Sequence, residues 1–324
     1  MQHIWAILGI PPQALFGQLM VGLINGAFYA MLSLGLALIF GMLNIINFAH
    51  GALYMMGAFV AFFLLNGIDV PTLQFAQGEG ATWIPLVVSG HVDIGVNYWG
   101  ALILAPIIVG VFGMIIERIA LKQLYKLDHL YGLLLTFGLA LIFEGVFREL
   151  YGSSGLPYAP PPELTGVVNL GFMFLPIYRG WVIFASVAVC LATWLLIEKT
   201  RLGAYLRAAT ENPELVQAFG INVPAMITLT YGLGVALAAF AGVLAAPIYS
   251  VNPLMGSNLI IIVFAVVMIG GMGSIMGSVI TGFMLGLLEG LTKVFYPEAS
   301  NTVIFVVMAI VLLIKPQGLF GRAN

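Results

Sequence analysis

The chain has 324 residues, of which 61% are hydrophobic and only 7% are charged, with a formal net charge of −2 and a mean hydropathy of +1.09. Soluble domains are roughly half apolar, so this composition excludes an ordinary soluble protein and predicts an integral membrane protein. We predict an all-α fold in which residues 1–324 form a single polytopic bundle of about eight to ten transmembrane helices.

About nine apolar runs are long enough to predict membrane spans. They lie near residues 14–42, 48–66, 99–120, 130–150, 180–198, 224–247, 259–275, 276–296 and 302–315. Four glycines, Gly270, Gly271, Gly273 and Gly277, interrupt the seventh and eighth runs. They predict a turn between two partial spans at this point of the chain.

Basic residues predict the orientation, because Lys and Arg near span ends are retained in the cytoplasm. With the N-terminus outside, most basic residues fall on the inner side, and the outer stretch 67–98 carries none. The inner residues are Arg118, Lys122, Lys126, Lys199, Arg201, Arg207, Lys315 and Arg322, and the outer ones are Arg148, Arg179 and Lys293. This orientation places residues 201–222 and the C-terminal tail in the cytoplasm.

Two series of glycines recur at intervals of four residues, which on a helix places them on one face. Gly22 and Gly26 form the first series, and Gly282, Gly286 and Gly290 form the second. Small residues at this spacing let helix backbones approach closely. We therefore expect tight helix packing at both places.

Two pairs of opposite charge lie four residues apart within apolar runs. Glu144 can pair with Arg148, and Glu289 with Lys293, along one helix face. Buried charge in lipid is costly and often functional, but pairs near a span end are commonly neutralised there. We favour a structural role for both pairs.

Residues 201–222, RLGAYLRAATENPELVQAFGIN, form a polar segment of both charge signs between strongly apolar runs. Asn212, Pro213 and Glu214 predict a helix start, since they supply a capping side chain, a proline at the first helical position and an acid near the positive end of the dipole. Gly220 is a natural helix stop. The segment suits a surface that meets a partner in water.

Within this short helix, Leu215, Val216 and Phe219 fall on one side at helical spacing. Such an apolar stripe faces either lipid or a groove on another protein. One interpretation is an interfacial helix that lies on the membrane. The alternative is a docking helix for a cytoplasmic partner.

The chain lacks the sequence patterns of several chemistries. It has no Gly-x-x-x-x-Gly-Lys-Ser/Thr phosphate loop, so ATP-driven work would have to be done by another subunit. It also has no His-Glu-x-x-His pair, Cys/His cluster or Gly-x-Ser-x-Gly elbow, and its four histidines are scattered. We predict no catalytic residue, no metal site and no cofactor.

Three segments, in order along the chain, resemble motifs of one family. NGAFYAMLSLGLALIFGMLNIINFAHGALYMMGA (25–58), RAATENPELVQAFGIN (207–222) and GGMGSIMGSVITG (270–282) resemble the N-terminal signature, the cytoplasmic coupling segment and the C-terminal glycine motif of permease subunits of branched-chain amino acid ABC transporters. The resemblance implies a second permease, homologous or identical, two ATP-binding subunits, an extracytoplasmic binding protein and a place in the cell inner membrane. The outer stretch 67–98 is longer than this family resemblance leads us to expect.

The resemblance assigns coupling to the ATPase to a set of residues in 201–222. They are Arg207, Glu211, Asn212, Pro213, Glu214, Phe219 and Gly220.

We predict that a second set of residues lies on the translocation path. It comprises Asn44, Asn47, His50, Gly270, Gly271 and Gly273. Asn44, Asn47 and His50 are spaced by three, so they would share a helix face; in a turn, Asn47 could instead cap the next span. The functional alternative is a broken helix whose N-terminal amides meet a substrate carboxylate.

The predicted function is import of a branched-chain amino acid or a related small carboxylate or amide, powered by separate ATPases. The main alternative is a secondary transporter coupled to an ion gradient, and a third is a lipid-facing scaffold without transport. Few ionisable residues lie where a proton relay through the membrane would need them, which disfavours the secondary transporter. The scaffold leaves residues 201–222 without a role.

Overall fold

A computed structural model describes residues 11–43, 45–77, 83–125, 127–171 and 173–321. In this part of the chain it contains eleven α-helices. They are α1 (Pro12–Leu43), α2 (Ala49–Asn66), α3 (Tyr98–Ile119), α4 (His129–Tyr151), α5 (Ile177–Lys199), α6 (Arg201–Glu211), α7 (Pro213–Ala218), α8 (Val223–Tyr249), α9 (Ser257–Gly270), α10 (Ile275–Phe295) and α11 (Thr302–Ile314). Short 3₁₀ turns lie at Leu121–Leu124, Pro162–Leu164 and Pro297–Ala299. The predicted helical membrane bundle is confirmed.

The predicted number of about eight to ten spans is too high, because seven helices among the described residues are long and apolar enough to cross a membrane. The runs near 259–275 and 302–315 do become helices, but α9 has 14 residues and α11 has 13. At 1.5 Å per residue they are about 20 Å long, whereas the hydrocarbon core is about 30 Å thick. The predicted break after the seventh run is present, since α9 ends at Gly270.

The outer stretch contains the longer of two small antiparallel hairpins in the otherwise helical fold. Strands β1 (Ile68–Gln77) and β2 (Trp83–Val92) pair with Ile68 opposite Val92 and Gln77 opposite Trp83. The second hairpin, β3 (Val167–Asn169) and β4 (Phe174–Pro176), precedes α5. The extra length of 67–98 is therefore a β-hairpin rather than another span.

Helix α8 occupies the centre of the bundle, where it packs against α1, α2 and α3. Its small residues allow these contacts: a Cβ at Gly57 of α2 would overlap the backbone of Ala239, and one at Gly110 of α3 would lie 3.1 Å from the carbonyl oxygen of Gly232. Helix α4 is peripheral, since Gly132 and Thr136 are its buried residues. The core is thus built around α8, with α4 at its edge.

The two glycine series meet face to face in the contact between α1 and α10. A Cβ at Gly286 would overlap the backbone of both Gly22 and Gly26. A Cβ at Gly290 would overlap the opposite helix in the same way, and one at Gly282 would lie 2.6 Å from backbone atoms of α1. We call this contact the glycine seam; it confirms the predicted tight packing.

A buried carboxylate lies at the end of the glycine seam formed by the C-terminal part of α10. Glu289 is 3% exposed and accepts hydrogen bonds from Tyr29 Oη at 2.7 Å, Asn25 Nδ2 at 3.1 Å and Lys293 Nζ. Tyr249 Oη donates to Asn25 Oδ1 at 2.7 Å, which adds α8 to the network. The predicted pair of Glu289 and Lys293 is present, and it forms part of a network that ties α1, α8 and α10 together.

The other predicted pair is not formed. Within the described residues, neither Glu144 nor Arg148 has an ion pair or a side-chain hydrogen bond. Arg148 is exposed near the end of α4, and Glu144 is half-buried. The (i, i+4) spacing permits a pair but does not hold two flexible side chains together.

Replacing Glu289 with alanine is expected to lower the free energy of unfolding by about 3 kcal/mol, because it removes the acceptor of three donors in a buried site. Thermal unfolding of the purified protein in detergent measures the loss. Glu298→Ala, at an exposed carboxylate in the neighbouring 3₁₀ turn, serves as the control. Equal melting temperatures for the two variants would contradict the assignment of Glu289 as a structural centre.

Candidate functional site

The predicted coupling segment, residues 201–222, folds as α6 and α7, and α7 begins where its capping residues predict. Asn212 Oδ1 accepts a hydrogen bond from the backbone amide of Leu215 at 2.9 Å, and Pro213 occupies the first helical position of α7. Gly220 ends the unit with φ of +81°, a left-handed conformation that glycine adopts without strain. Local sequence thus fixes both ends of α7.

The predicted apolar stripe of α7 is divided between two environments. Val216 is buried against Ala209 of α6 and Val223 at the start of α8. Leu215 is 54% exposed and Phe219 is 77% exposed. One apolar residue therefore attaches α7 to its own protein, and the other two are left on the surface.

Arg207 attaches α6 to the end of α5. Its Nη1 donates to the carbonyl oxygen of Ile197 at 3.2 Å and lies 3.3 Å from Oε2 of Glu198. Both charged side chains are substantially exposed, so the ion pair contributes at most about 1 kcal/mol. The two acidic residues of the predicted coupling set, Glu211 and Glu214, are exposed on the same segment.

A cavity of about 630 Å³, which we call the inner cavity, lies beside the coupling segment. It is lined by Ala37, Leu38, Phe40, Gly41, Met42, Trp194, Ile197, Glu198, Leu206, Arg207, Thr210, Met272, Gly273, Ser274, Ile275, Met276, Gln317, Phe320 and Gly321. These residues come from the ends of α1 and α5, from α6, from the turn between α9 and α10, from the start of α10 and from the C-terminal segment. The volume lies within the usual range of small-molecule sites. The cavity joins Arg207, predicted for coupling, to Gly273, predicted for the path.

The glycines between α9 and α10 have different surroundings. Gly271 and Gly273 have φ of +98° and +79°, which the tight turn requires and glycine supplies. Gly273 lines the inner cavity. Gly271 packs instead against Gln317 and Gly321 of the C-terminal segment, and Gly270 packs against Gly277 of α10. The backbone amide of Phe320 donates to the carbonyl oxygen of Gly270 at 3.1 Å. The structure thus brings one of these three predicted path residues to the cavity.

The chain breaks between α1 and α2, where the other path residues were predicted. Asn44 lies outside the described residues. Asn47 and His50 are at most 1% exposed and do not line the inner cavity. Asn47 Nδ2 donates to Tyr231 Oη at 3.0 Å, and His50 Nε2 lies 3.1 Å from the carbonyl oxygen of Leu32. These two side chains hold the broken helix against α8 and α1.

A threonine of α4 satisfies the backbone of this break. Thr136 Oγ1 donates to the carbonyl oxygen of Ile46 at 3.2 Å and accepts from the backbone amide of Phe48 at 3.2 Å. The predicted cap by the Asn47 side chain is absent. The residue at the N-cap position of α2 is Phe48, and it makes no side-chain cap hydrogen bond. The peripheral helix α4 is therefore linked directly to the break.

Sequence reasoning missed a buried carboxylate at the inner end of α3. Glu117 is 1% exposed and accepts hydrogen bonds from Thr228 Oγ1 at 2.7 Å and from Tyr125 Oη. Burial and the adjacent carboxylate raise the pKa of Tyr125 above its ordinary value, which keeps this donor protonated. The sequence feature that could have indicated this residue is a glutamate next to Arg118 inside an apolar run. Glu117 ties α3 to the start of α8, just after the coupling segment.

The inner cavity is large enough to bind a small molecule. Its charged lining residues are Glu198 and Arg207, which pair with each other. No group of three His, Cys, Asp or Glu residues in the described part of the chain could hold a metal ion. The described residues thus combine a broken helix, a large cavity and a polar segment with exposed apolar side chains.

Comparison with known proteins gives the family. A model described as "Branched-chain amino acid transport system / permease component" matches residues 18–312. The chain belongs to this permease family. It is 30% identical over 312 residues to the high-affinity branched-chain amino acid transport system permease protein LivH of Salmonella typhimurium, which covers 94% of this chain and 95% of the relative. It is also 30% identical over 310 residues to BraD of Pseudomonas aeruginosa, with 94% and 95% covered. No solved structure matches the chain.

More distant relatives include another transport permease. The galactofuranose transporter permease protein YtfT of Escherichia coli is 25% identical over 332 residues, covering 97% of this chain and 84% of the relative. This chain is a multi-pass permease subunit of the ABC class in the cell inner membrane, and ATP hydrolysis belongs to separate subunits. The branched-chain permease family supports this reading over a secondary transporter coupled to an ion gradient.

Proposed function

We propose that the chain imports a branched-chain amino acid, with a related small carboxylate or amide as the wider substrate class. The names of the relatives LivH and BraD, which are high-affinity branched-chain amino acid permeases, support this substrate. Residues 1–324 act as one permease domain. A second permease, two ATP-binding subunits and an extracytoplasmic binding protein complete the transporter.

The observation that carries the proposal is the exposed apolar surface of the coupling segment. Leu215 and Phe219 are exposed and lie in the same short segment as the exposed carboxylates of Glu211 and Glu214. Exposed aromatic residues at such places commonly anchor protein partners. In the proposed assembly Phe219 enters a groove on the ATP-binding subunit.

The remaining predicted coupling residues give this surface its shape. Asn212 and Pro213 start α7, Gly220 ends it, and Arg207 fixes α6 to α5. Movement of the ATP-binding subunit would therefore be passed through α6 to the inner cavity, which α6 lines. Gly273 lies on the inner part of the proposed path, while Asn47 and His50 support the broken helix above it.

The second permease is proposed to cover α4. This helix has few buried residues, and its exposed side chains include Leu130, Leu134, Leu141 and Leu150. The binding protein would approach from the outer side, opposite to the coupling segment. The β1–β2 hairpin, which lies between α2 and α3 in the chain, is proposed to be on that side.

Reconstitution tests the proposal. The chain would be placed in proteoliposomes with its second permease, the ATP-binding subunits and the binding protein, and uptake of radiolabelled leucine would be measured. We expect uptake that requires ATP and every added subunit. Liposomes with a proton or sodium gradient but without ATP-binding subunits are the control. Gradient-driven uptake in that control would contradict the proposed function.

A further inference from the structure

Glu144 lies in a small groove near the middle of α4. The groove has a volume of about 70 Å³ and is lined by Phe48, Gly51, Ala52, Phe137, Ala140, Leu141, Glu144, Pro253, Ser257 and Ile260. Three elements form it: the start of α2, the middle of α4 and the start of α9. Glu144 is the one titratable side chain in this lining.

Two of the flanking helices, α2 and α9, begin at the groove. Helix α2 begins after the break that follows α1, and α9 is 14 residues long and ends at Gly270 beside the C-terminal segment. Gly51 and Gly256 are in backbone contact, which brings the two helix starts together. Interrupted helices that meet within the membrane are the usual place for a transported solute to bind.

The depth of Glu144 is inconsistent with simple placement at the water interface. It lies 15 residues after His129, about 22 Å along α4, and about 10 Å before the outer end of that helix. A carboxylate at this depth is costly and is normally paired or functional. Within the described residues Glu144 has no ion pair and no side-chain hydrogen bond.

We propose that Glu144 is a specificity-determining residue that receives the α-ammonium group of the transported amino acid. This inference rests on the proposed function and narrows its substrate class to solutes that carry a cationic amino group. An otherwise apolar lining strengthens the attraction between the carboxylate and an ammonium group, because little water screens it.

The size of the groove fits this role. A water molecule occupies roughly 30 Å³, and an ammonium group is of similar size. A groove of about 70 Å³ is therefore large enough for the charged head of an amino acid. The aliphatic side chain would lie outside it, along the exposed apolar side chains of α4.

The test uses the complete transporter and radiolabelled leucine. Glu144→Gln is expected to lower ATP-driven uptake roughly tenfold or more, the loss expected for one charge-assisted hydrogen bond. Glu144→Asp should retain part of the activity because it keeps the charge. Glu149→Gln, at an exposed carboxylate on the same helix outside the groove, is the matched control and should transport normally.

Chemical restoration separates charge from structure. In Glu144→Cys the only other cysteine is Cys190, which is buried. A carboxyethyl methanethiosulfonate adduct at position 144 should restore uptake, whereas a methyl adduct of the same cysteine should not. If Glu144→Gln assembles poorly, the comparison of the two adducts still tests whether a negative charge at position 144 is required.

Two results overturn the inference and leave the proposed function intact: normal leucine uptake by Glu144→Gln, or equal restoration by the two adducts. Absence of ATP-driven uptake in the unmodified transporter overturns both.

Discussion

Replacing Phe219 with aspartate is expected to lower ATP-driven leucine uptake roughly 30-fold, while the free energy of unfolding stays unchanged. The side chain is 77% exposed, so the fold gains little from it. An aromatic anchor in a partner groove commonly contributes 2 kcal/mol or more to binding, and a buried aspartate there is unfavourable. ATP hydrolysis by the partner subunits should continue without transport. Uptake and hydrolysis measured in the same proteoliposomes test this.

Phe174→Asp provides the matched control for this prediction. Phe174 is 70% exposed, but it lies in the β3–β4 hairpin before α5, on the side opposite to the coupling segment. The same chemical change there should leave the coupling of hydrolysis to uptake unaffected. If Phe219→Asp transported as well as Phe174→Asp, the coupling surface would have to lie elsewhere.

Replacing Gly286 with valine is expected to destabilise the fold by at least about 3 kcal/mol and to prevent accumulation of folded protein. The first added carbon already overlaps the backbone of Gly22 and Gly26. Backbone cannot move aside as a flexible side chain can, so the two helices must separate. The yield of monodisperse protein in detergent and its melting temperature measure the effect.

The control for the glycine seam is Gly17→Val on α1. A Cβ at Gly17 meets nothing within 4 Å, although Gly17 lies on the same helix as Gly22. This variant should accumulate and unfold like the unmodified protein. A normal yield and melting temperature for Gly286→Val would mean that the seam opens at no cost, contrary to the packing described.

Much of the fold follows from patterns that act locally or through side-chain size. All nine apolar runs become helices, Asn212 and Pro213 start α7, and the glycines at intervals of four meet in the seam. These outcomes depend on chain length in lipid, on capping and on the absence of a side chain. Such properties can be recognised in a single sequence.

The site was less predictable, because burial depends on neighbours that are distant in the sequence. Val216 and Phe219 are equivalent in the helical pattern, yet only Val216 meets α6 and α8. Likewise, spacing predicted pairs for both Glu144 and Glu289, but only Glu289 finds partners, on α1 as well as on its own helix. Glu117 is linked to Thr228, 111 residues away, which no local pattern indicates.

The glycine seam also constrains how the protein is made. Residues that meet there are separated by most of the chain, as Asn25 and Glu289 are by 264 positions. At a synthesis rate of about 5–20 residues per second, the partner of α1 emerges on the order of 10–50 s after α1 itself. During this interval α1 lies in the bilayer, and no helix packs against the face that carries Gly22 and Gly26. Biogenesis of this permease thus depends on the insertion machinery or lipids shielding that face until translation is nearly finished.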